Sequence, residues 1–160
     1  MIDRPADAKD FDFLVGSWSV HNKFLKERLN NCEEWIEFEA DFQNRPILHG
    51  LGNIDQFNTE LKGAPFEGVS LRLFNPQTNL WAIYWMDTNN PRLEDPMLGK
   101  FIDGRGEFFS SEMFQGREVR VRFIWTQQDV DHARWEQAFS DDEGETWETN
   151  WIMEFTRHDA

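Results

Sequence analysis

Phe13-Leu14-Val15-Gly16-Ser17-Trp18 leads into the first β-like run of the chain, and Trp147-Glu148-Thr149-Asn150-Trp151-Ile152-Met153-Glu154-Phe155-Thr156-Arg157 is the last. Between them the residues alternate apolar and polar, with turn signals every eight to twelve residues or so, the texture of a sandwich or barrel. The runs fall near 17–25, 34–42, 47–57, 66–74, 80–87, 97–102, 107–113, 119–126, 133–139 and 146–157. Asn75-Pro76-Gln77-Thr78-Asn79 and Asn89-Asn90-Pro91 punctuate them, because Asn tolerates left-handed backbone and Pro cannot continue a ladder. Asp103-Gly104 is a tight hairpin signal. No long helix is available for crossovers, so the strands are expected to pair antiparallel, and closure removes the sheet edges. The expected fold is all-β: an antiparallel up-and-down barrel of about ten strands in one domain, 1–160. A short helical lead-in over 5–15 puts Phe11, Leu14 and Val15 on one face.

Alternation also assigns faces. Val119, Val121, Phe123 and Trp125 share one side of their strand, and Ala133, Trp135, Gln137 and Phe139 share one side of the next. In the last strand Trp147, Thr149, Trp151, Met153 and Phe155 are expected inside, with Glu148, Asn150 and Glu154 outside. Leu80-Trp81-Ala82-Ile83-Tyr84-Trp85-Met86 is apolar on both faces, so its outer face calls for a cover. The lead-in helix or a second subunit would supply one, and a homodimer is the expectation.

Composition sets further bounds. Eight Trp and fifteen Phe stand beside one Tyr, so the aromatic mass is nearly all apolar. The net charge of −14 opposes nucleic acid, whose phosphates it would repel. The longest apolar run is a strand's length, far short of a membrane-spanning helix. Cys32 is the only cysteine and the first residues carry no signal-peptide pattern, which together point to a cytoplasmic protein. His21, His49, His132 and His158 lie in separate segments without metal-ligand spacing, so no metal is expected.

The Gly16-Ser17-Trp18 start and the basic Arg157 end resemble the signature of lipocalin-like (calycin) barrels. The resemblance implies that Trp18 plugs one barrel end and Arg157 stacks on its indole face. With Leu71-Arg72-Leu73-Phe74-Asn75-Pro76, Ile83-Tyr84-Trp85 and Arg134-Trp135-Glu136-Gln137-Ala138-Phe139-Ser140, the chain is similar to a bacterial family of uncharacterised lipocalin-like proteins. That family brings no activity and no site residues. Nitrobindin-like relatives of this barrel bind haem through a His of the closing strand. Here the inward positions of that strand are Trp151, Met153 and Phe155, so the ligand does not carry over and no cofactor is expected. Ser140-Asp141-Asp142-Glu143-Gly144-Glu145-Thr146-Trp147 resembles the Asp box of sialidases, a hairpin brace that carries no chemistry. There the Asp holds backbone amides, the Gly takes positive φ and the Trp anchors the turn in the core.

The function expected from these residues is binding of a small apolar or aromatic molecule inside the barrel. Trp85, Trp125, Trp135, Trp151 and Met153 would wall the pocket, and Asn22, Arg72 and Gln137 would orient the ligand. An isomerase, hydratase or decarboxylase in the same cavity is the alternative, with Glu136, Asp87 and Tyr84 as acid–base candidates. A barrel filled by its own aromatics, acting only as a structural or interaction protein, is the third reading. Cavity volume separates it from the other two.

Overall fold

The computed structural model describes residues 3–158. Ten strands run in chain order: β1 Gly16–Leu25, β2 Trp35–Ile47, β3 Gly52–Leu61, β4 Ala64–Asn75, β5 Leu80–Asp87, β6 Met97–Ile102, β7 Arg105–Phe114, β8 Arg117–Asp129, β9 His132–Ser140 and β10 Glu148–Arg157. Every strand pairs antiparallel with its sequence neighbour, and β1 pairs with β10 to close the barrel. The all-β up-and-down barrel expected from alternation is the fold observed. Two-residue turns at Lys62-Gly63, Asp103-Gly104 and Gln115-Gly116 all take positive φ at both positions, the hand that suits twisted hairpins.

Loops alternate between two ends. The closed end is built by the expected short helical lead-in, which takes the form of two 3-10 turns, Ala6–Lys9 and Asp12–Leu14. These turns enter the barrel end as a plug and leave the outer face of β5 uncovered. Phe11 is 1% exposed and packs edge-on to Trp81, Phe101 and Trp125. The Trp81 indole donates to the Asp7 carbonyl and Asn79 donates to the Asp7 carboxylate, tying the plug to β5 and the turn before it. Trp18 is fully buried and donates from Nε1 to the Leu14 carbonyl at 2.9 Å. Arg157, opposite Trp18 in the β1–β10 register, places its guanidinium carbon 4.1 Å from the indole centroid. Its nitrogens donate to the carbonyls of Phe13, Val15 and Val130. Gly16 makes this possible: at φ +123° a side chain there is strained, and its Cβ would lie 2.6 Å from Arg157 Nη1.

Part of β10 departs from simple alternation. The register slips between Thr149 and Trp151, where Asn150 is the extra residue of a β-bulge. One inserted residue reverses the facing of everything before it. Asn150 is therefore fully buried, while Trp147 lies outside the barrel, against Phe109 and 4.5 Å beneath the Arg122 guanidinium. The expectation that Trp147 and Thr149 face inward and Asn150 outward is corrected by the bulge. The expected faces of β8 and β9 stand, with Val121, Trp125, Ala133, Trp135 and Phe139 buried. The hairpin brace forms as its motif implies. Asp142 accepts from the Thr146 amide and hydroxyl and from Ser140, and Gly144 sits at φ +90°. Its Trp147, however, anchors on the outer sheet face and not in the core.

Candidate functional site

Above the plug the barrel encloses a cavity of about 170 Å³ that opens toward the other end. That volume holds about six waters, and a cavity of about 150 Å³ is enough for a benzene ring. A barrel filled by its own side chains would leave no such space.

Its upper wall is aromatic. The Trp151 ring lies edge-on to Trp135 at 5.3 Å and to Trp85 at 6.2 Å, and Phe123 packs on Trp135 at 5.0 Å. Gly68 on β4 lets the Trp85 ring lie across that strand, because a Cβ there would come within 2.0 Å of the indole. Phe57 completes this wall at 6.2 Å from Trp85.

The lower wall is polar and buried. Arg72 from β4 is 3% exposed, and its Nη1 donates to Asn53 Oδ1 at 3.0 Å and to Asp55 Oδ2. Asp55 Oδ1 accepts the Ser70 amide, and Asn53 Oδ1 also accepts from Asn44. Strands β2, β3 and β4 contribute these groups through the registers Asn44↔Asp55 and Asn53↔Arg72. Burial raises the Asp55 carboxyl, and the facing guanidinium and the Ser70 amide oppose that shift. The guanidinium carbon of Arg72 lies 5.3 Å from the Phe11 ring centroid and 5.4 Å from that of Trp125, so plug and polar floor meet directly. Arg72 Nε and Trp125 Nε1 are both buried without a hydrogen-bond partner among the described residues.

Acidic side chains gather at the opening, where Glu94, Asp95 and Glu112 join the lining. Burial raises the Glu112 carboxyl, and Arg28 partly offsets this. Arg28 belongs to the β1–β2 loop, which folds over the rim with its guanidinium 4.3 Å from Phe24 and 5.1 Å from Phe139. The Leu29 amide of the same loop donates to Glu148.

Of the residues singled out from sequence, Trp85, Trp125, Trp135, Trp151 and Met153 line this cavity, as do Arg72 and Gln137. Asn22 is fully buried behind the wall, where it accepts the Trp151 indole N–H at 3.0 Å and so orients a wall residue. Gln137 donates to Asn150. The acid–base candidates lie elsewhere. Glu136 and Tyr84 are on strand positions opposite the buried Trp135 and Ile83, with Glu136 bound to Arg134, and Asp87 caps the Trp85 indole and the following turn. No histidine lines the cavity. Asn53, Asp55, Ser70 and Glu112 escaped the sequence reading. Alternation placed Asp55 with Phe57 and Ser70 with Arg72, and that parity was the available signal.

No protein-family model matches the sequence, and no curated protein matches it. Solved structures do match in shape. The S-type phycobiliprotein lyase CPES from Guillardia theta aligns with TM-score 0.66 at 9% identity, covering 98% of this chain and 95% of that one. Rv2717c from M. tuberculosis aligns with TM-score 0.59 at 11% identity, covering 97% and 99%. A redesigned β-barrel aligns with TM-score 0.51 at 10% identity, covering 93% and 95%. At these identities the likeness is one of fold: the chain shares its closed ten-stranded barrel architecture with these proteins.

Proposed function

We propose that this lipocalin-like barrel binds a small apolar or aromatic molecule in its interior. The observation that carries the reading is a cavity of about 170 Å³ whose wall includes Phe57, Trp85, Phe123, Trp125, Trp135 and Trp151. Aromatic walls supply burial energy at roughly 25 cal/mol per Å² of apolar surface, and a few polar groups fix orientation. The acid–base candidates read from sequence, Glu136, Asp87 and Tyr84, lie outside the cavity lining, so the catalytic alternative loses the residues it was argued from.

Native mass spectrometry of freshly purified protein, followed by titration with apolar fluorophores watched through Trp emission, tests this. Saturable quenching at one equivalent is the expected result. No co-purified species and no quenching by any probe would overturn it.

The same proposal includes a homodimer. The plug leaves the outer side of β5 uncovered, and Ala82, Tyr84 and Met86 there remain partly exposed beside Leu98, which is 49% exposed. A second copy is the cover proposed for this strip, and a monomer in sedimentation at micromolar concentration would count against it.

A further inference from the structure

Resting on that cavity-binding reading, we infer that the ligand carries an uncharged acceptor, a ketone, aldehyde or amide carbonyl, which enters first and is held by Arg72 Nε–H and Trp125 Nε1–H. Both side chains line the cavity, each is 3% exposed, and the Arg72 guanidinium carbon lies 5.4 Å from the Trp125 ring centroid. Both N–H groups are without a partner among the described residues. Buried donors are rarely left so, because an unmade bond costs the full desolvation of the group.

The acceptors that face Arg72 are already engaged. Asp55 Oδ1 takes the Ser70 amide, Asp55 Oδ2 takes Arg72 Nη1, and Asn53 Oδ1 takes both Arg72 and Asn44. Asn44 Oδ1, Asn150 Nδ2, Arg28 Nε and Arg122 Nε are unpartnered too, but none of these four residues is in the cavity lining. These two N–H groups are donors, and a molecule that completes them must bring an acceptor.

Charge selects the kind of acceptor. Asp55 already pairs the Arg72 guanidinium, so no free positive charge awaits an anion. A carboxylate ligand would settle beside Asp55 after passing Glu94, Asp95 and Glu112 at the opening, like charges in a poorly screened space. A carbonyl meets neither penalty. The aromatic wall above the floor then receives the apolar body.

The test compares acetophenone, ethylbenzene and benzoate, three probes of nearly one shape, by titration calorimetry on the full chain. Acetophenone is expected to bind about tenfold tighter than ethylbenzene, the worth of one or two net hydrogen bonds, and benzoate weaker than acetophenone. In Trp125→Phe the ketone preference should fall to within about threefold, since the ring stays apolar and the donor is gone. The infrared C=O stretch of bound acetophenone in the unaltered protein should move to lower frequency than in hexane, a readout independent of any variant. Ethylbenzene binding as tightly as acetophenone, an unshifted carbonyl, or a preference that survives Trp125→Phe would overturn the assignment while leaving cavity binding in place. Benzoate binding tightest would overturn it in favour of an anion site. Failure of all three probes to bind would remove the cavity-binding reading itself.

Discussion

The barrel holds two arginine–tryptophan pairs of the same chemistry and opposite condition. At the closed end, Arg157 stacks on Trp18 at 4.1 Å, and both are fully engaged: the indole N–H on Leu14, the guanidinium on three backbone carbonyls. At the cavity floor, Arg72 approaches Trp125 at 5.4 Å, and each keeps a buried N–H without a partner. Most buried polar groups are completed by the protein itself. Donors left incomplete in a cavity wall are costly unless a bound molecule completes them, which is the role we propose for the ligand. The first pair belongs to the fold, and the second is the one we propose for ligand binding.

Substitutions can break that contrast. The largest expected effect is Arg72→Met, which strands the Asp55 carboxylate in the interior and should cost about 3–5 kcal/mol in urea unfolding. Adding Asp55→Leu should restore much of that loss, because an apolar pair of similar size needs no solvation. If the double variant is no more stable than the single one, the floor pair belongs with the structural pair and the contrast fails. Arg157→Ala has no such rescue. It removes the stack on a buried indole and three hydrogen bonds, partly replaceable by water, and should cost about 2–3 kcal/mol. A loss below about 0.5 kcal/mol would show that the plug holds Trp18 without it.

A smaller effect sharpens the comparison. Trp18→Phe and Trp125→Phe delete the same atoms. The first leaves the Leu14 carbonyl unbonded, whereas the second removes a donor that had no partner. Trp18→Phe should therefore cost about 1–3 kcal/mol more than Trp125→Phe in the same unfolding assay. Equal costs would mean that the Trp125 N–H is as well satisfied as that of Trp18.

How much of this is legible in sequence follows from what each feature depends on. Strand count, pairing and closure follow from period-two alternation and local turn chemistry, and Gly16, Trp18 and Arg157 announce the closed end. Arg72 and the cavity tryptophans are legible because alternation fixes their face. The Asp55–Arg72 pair is not, since it depends on the β3–β4 register, where Asn53 and not Asp55 stands opposite Arg72. The β10 bulge is hidden for a related reason: nothing in Glu148-Thr149-Asn150-Trp151 marks an inserted residue. The reversed facing of Trp147 follows from it. The helical lead-in is legible because Phe11 and Leu14 are three apart, a spacing that 3-10 turns satisfy as well as an α-helix does.

That bulge and its hairpin give the smallest effect, read through pH. Asp142 is held down to about 2 from 3.8, first by the Thr146 hydroxyl, then by the Thr146 amide and the Ser140 hydroxyl. A carboxyl depressed in the folded state favours folding above its unfolded pKa, and the benefit disappears as pH falls through the folded value. The brace should therefore be at full strength above about pH 5 and should weaken progressively toward pH 2. Asp142→Asn keeps the shape and removes the titration. The difference in stability between the original chain and Asp142→Asn should be greatest near neutral pH and shrink on acidification. Amide hydrogen exchange at Gly144 and Thr146, both donors inside the brace, would locate the loosening. A difference that stays constant down to pH 2 would mean the carboxylate charge contributes nothing to the turn, leaving Gly144 and the Trp147 anchor to shape it alone.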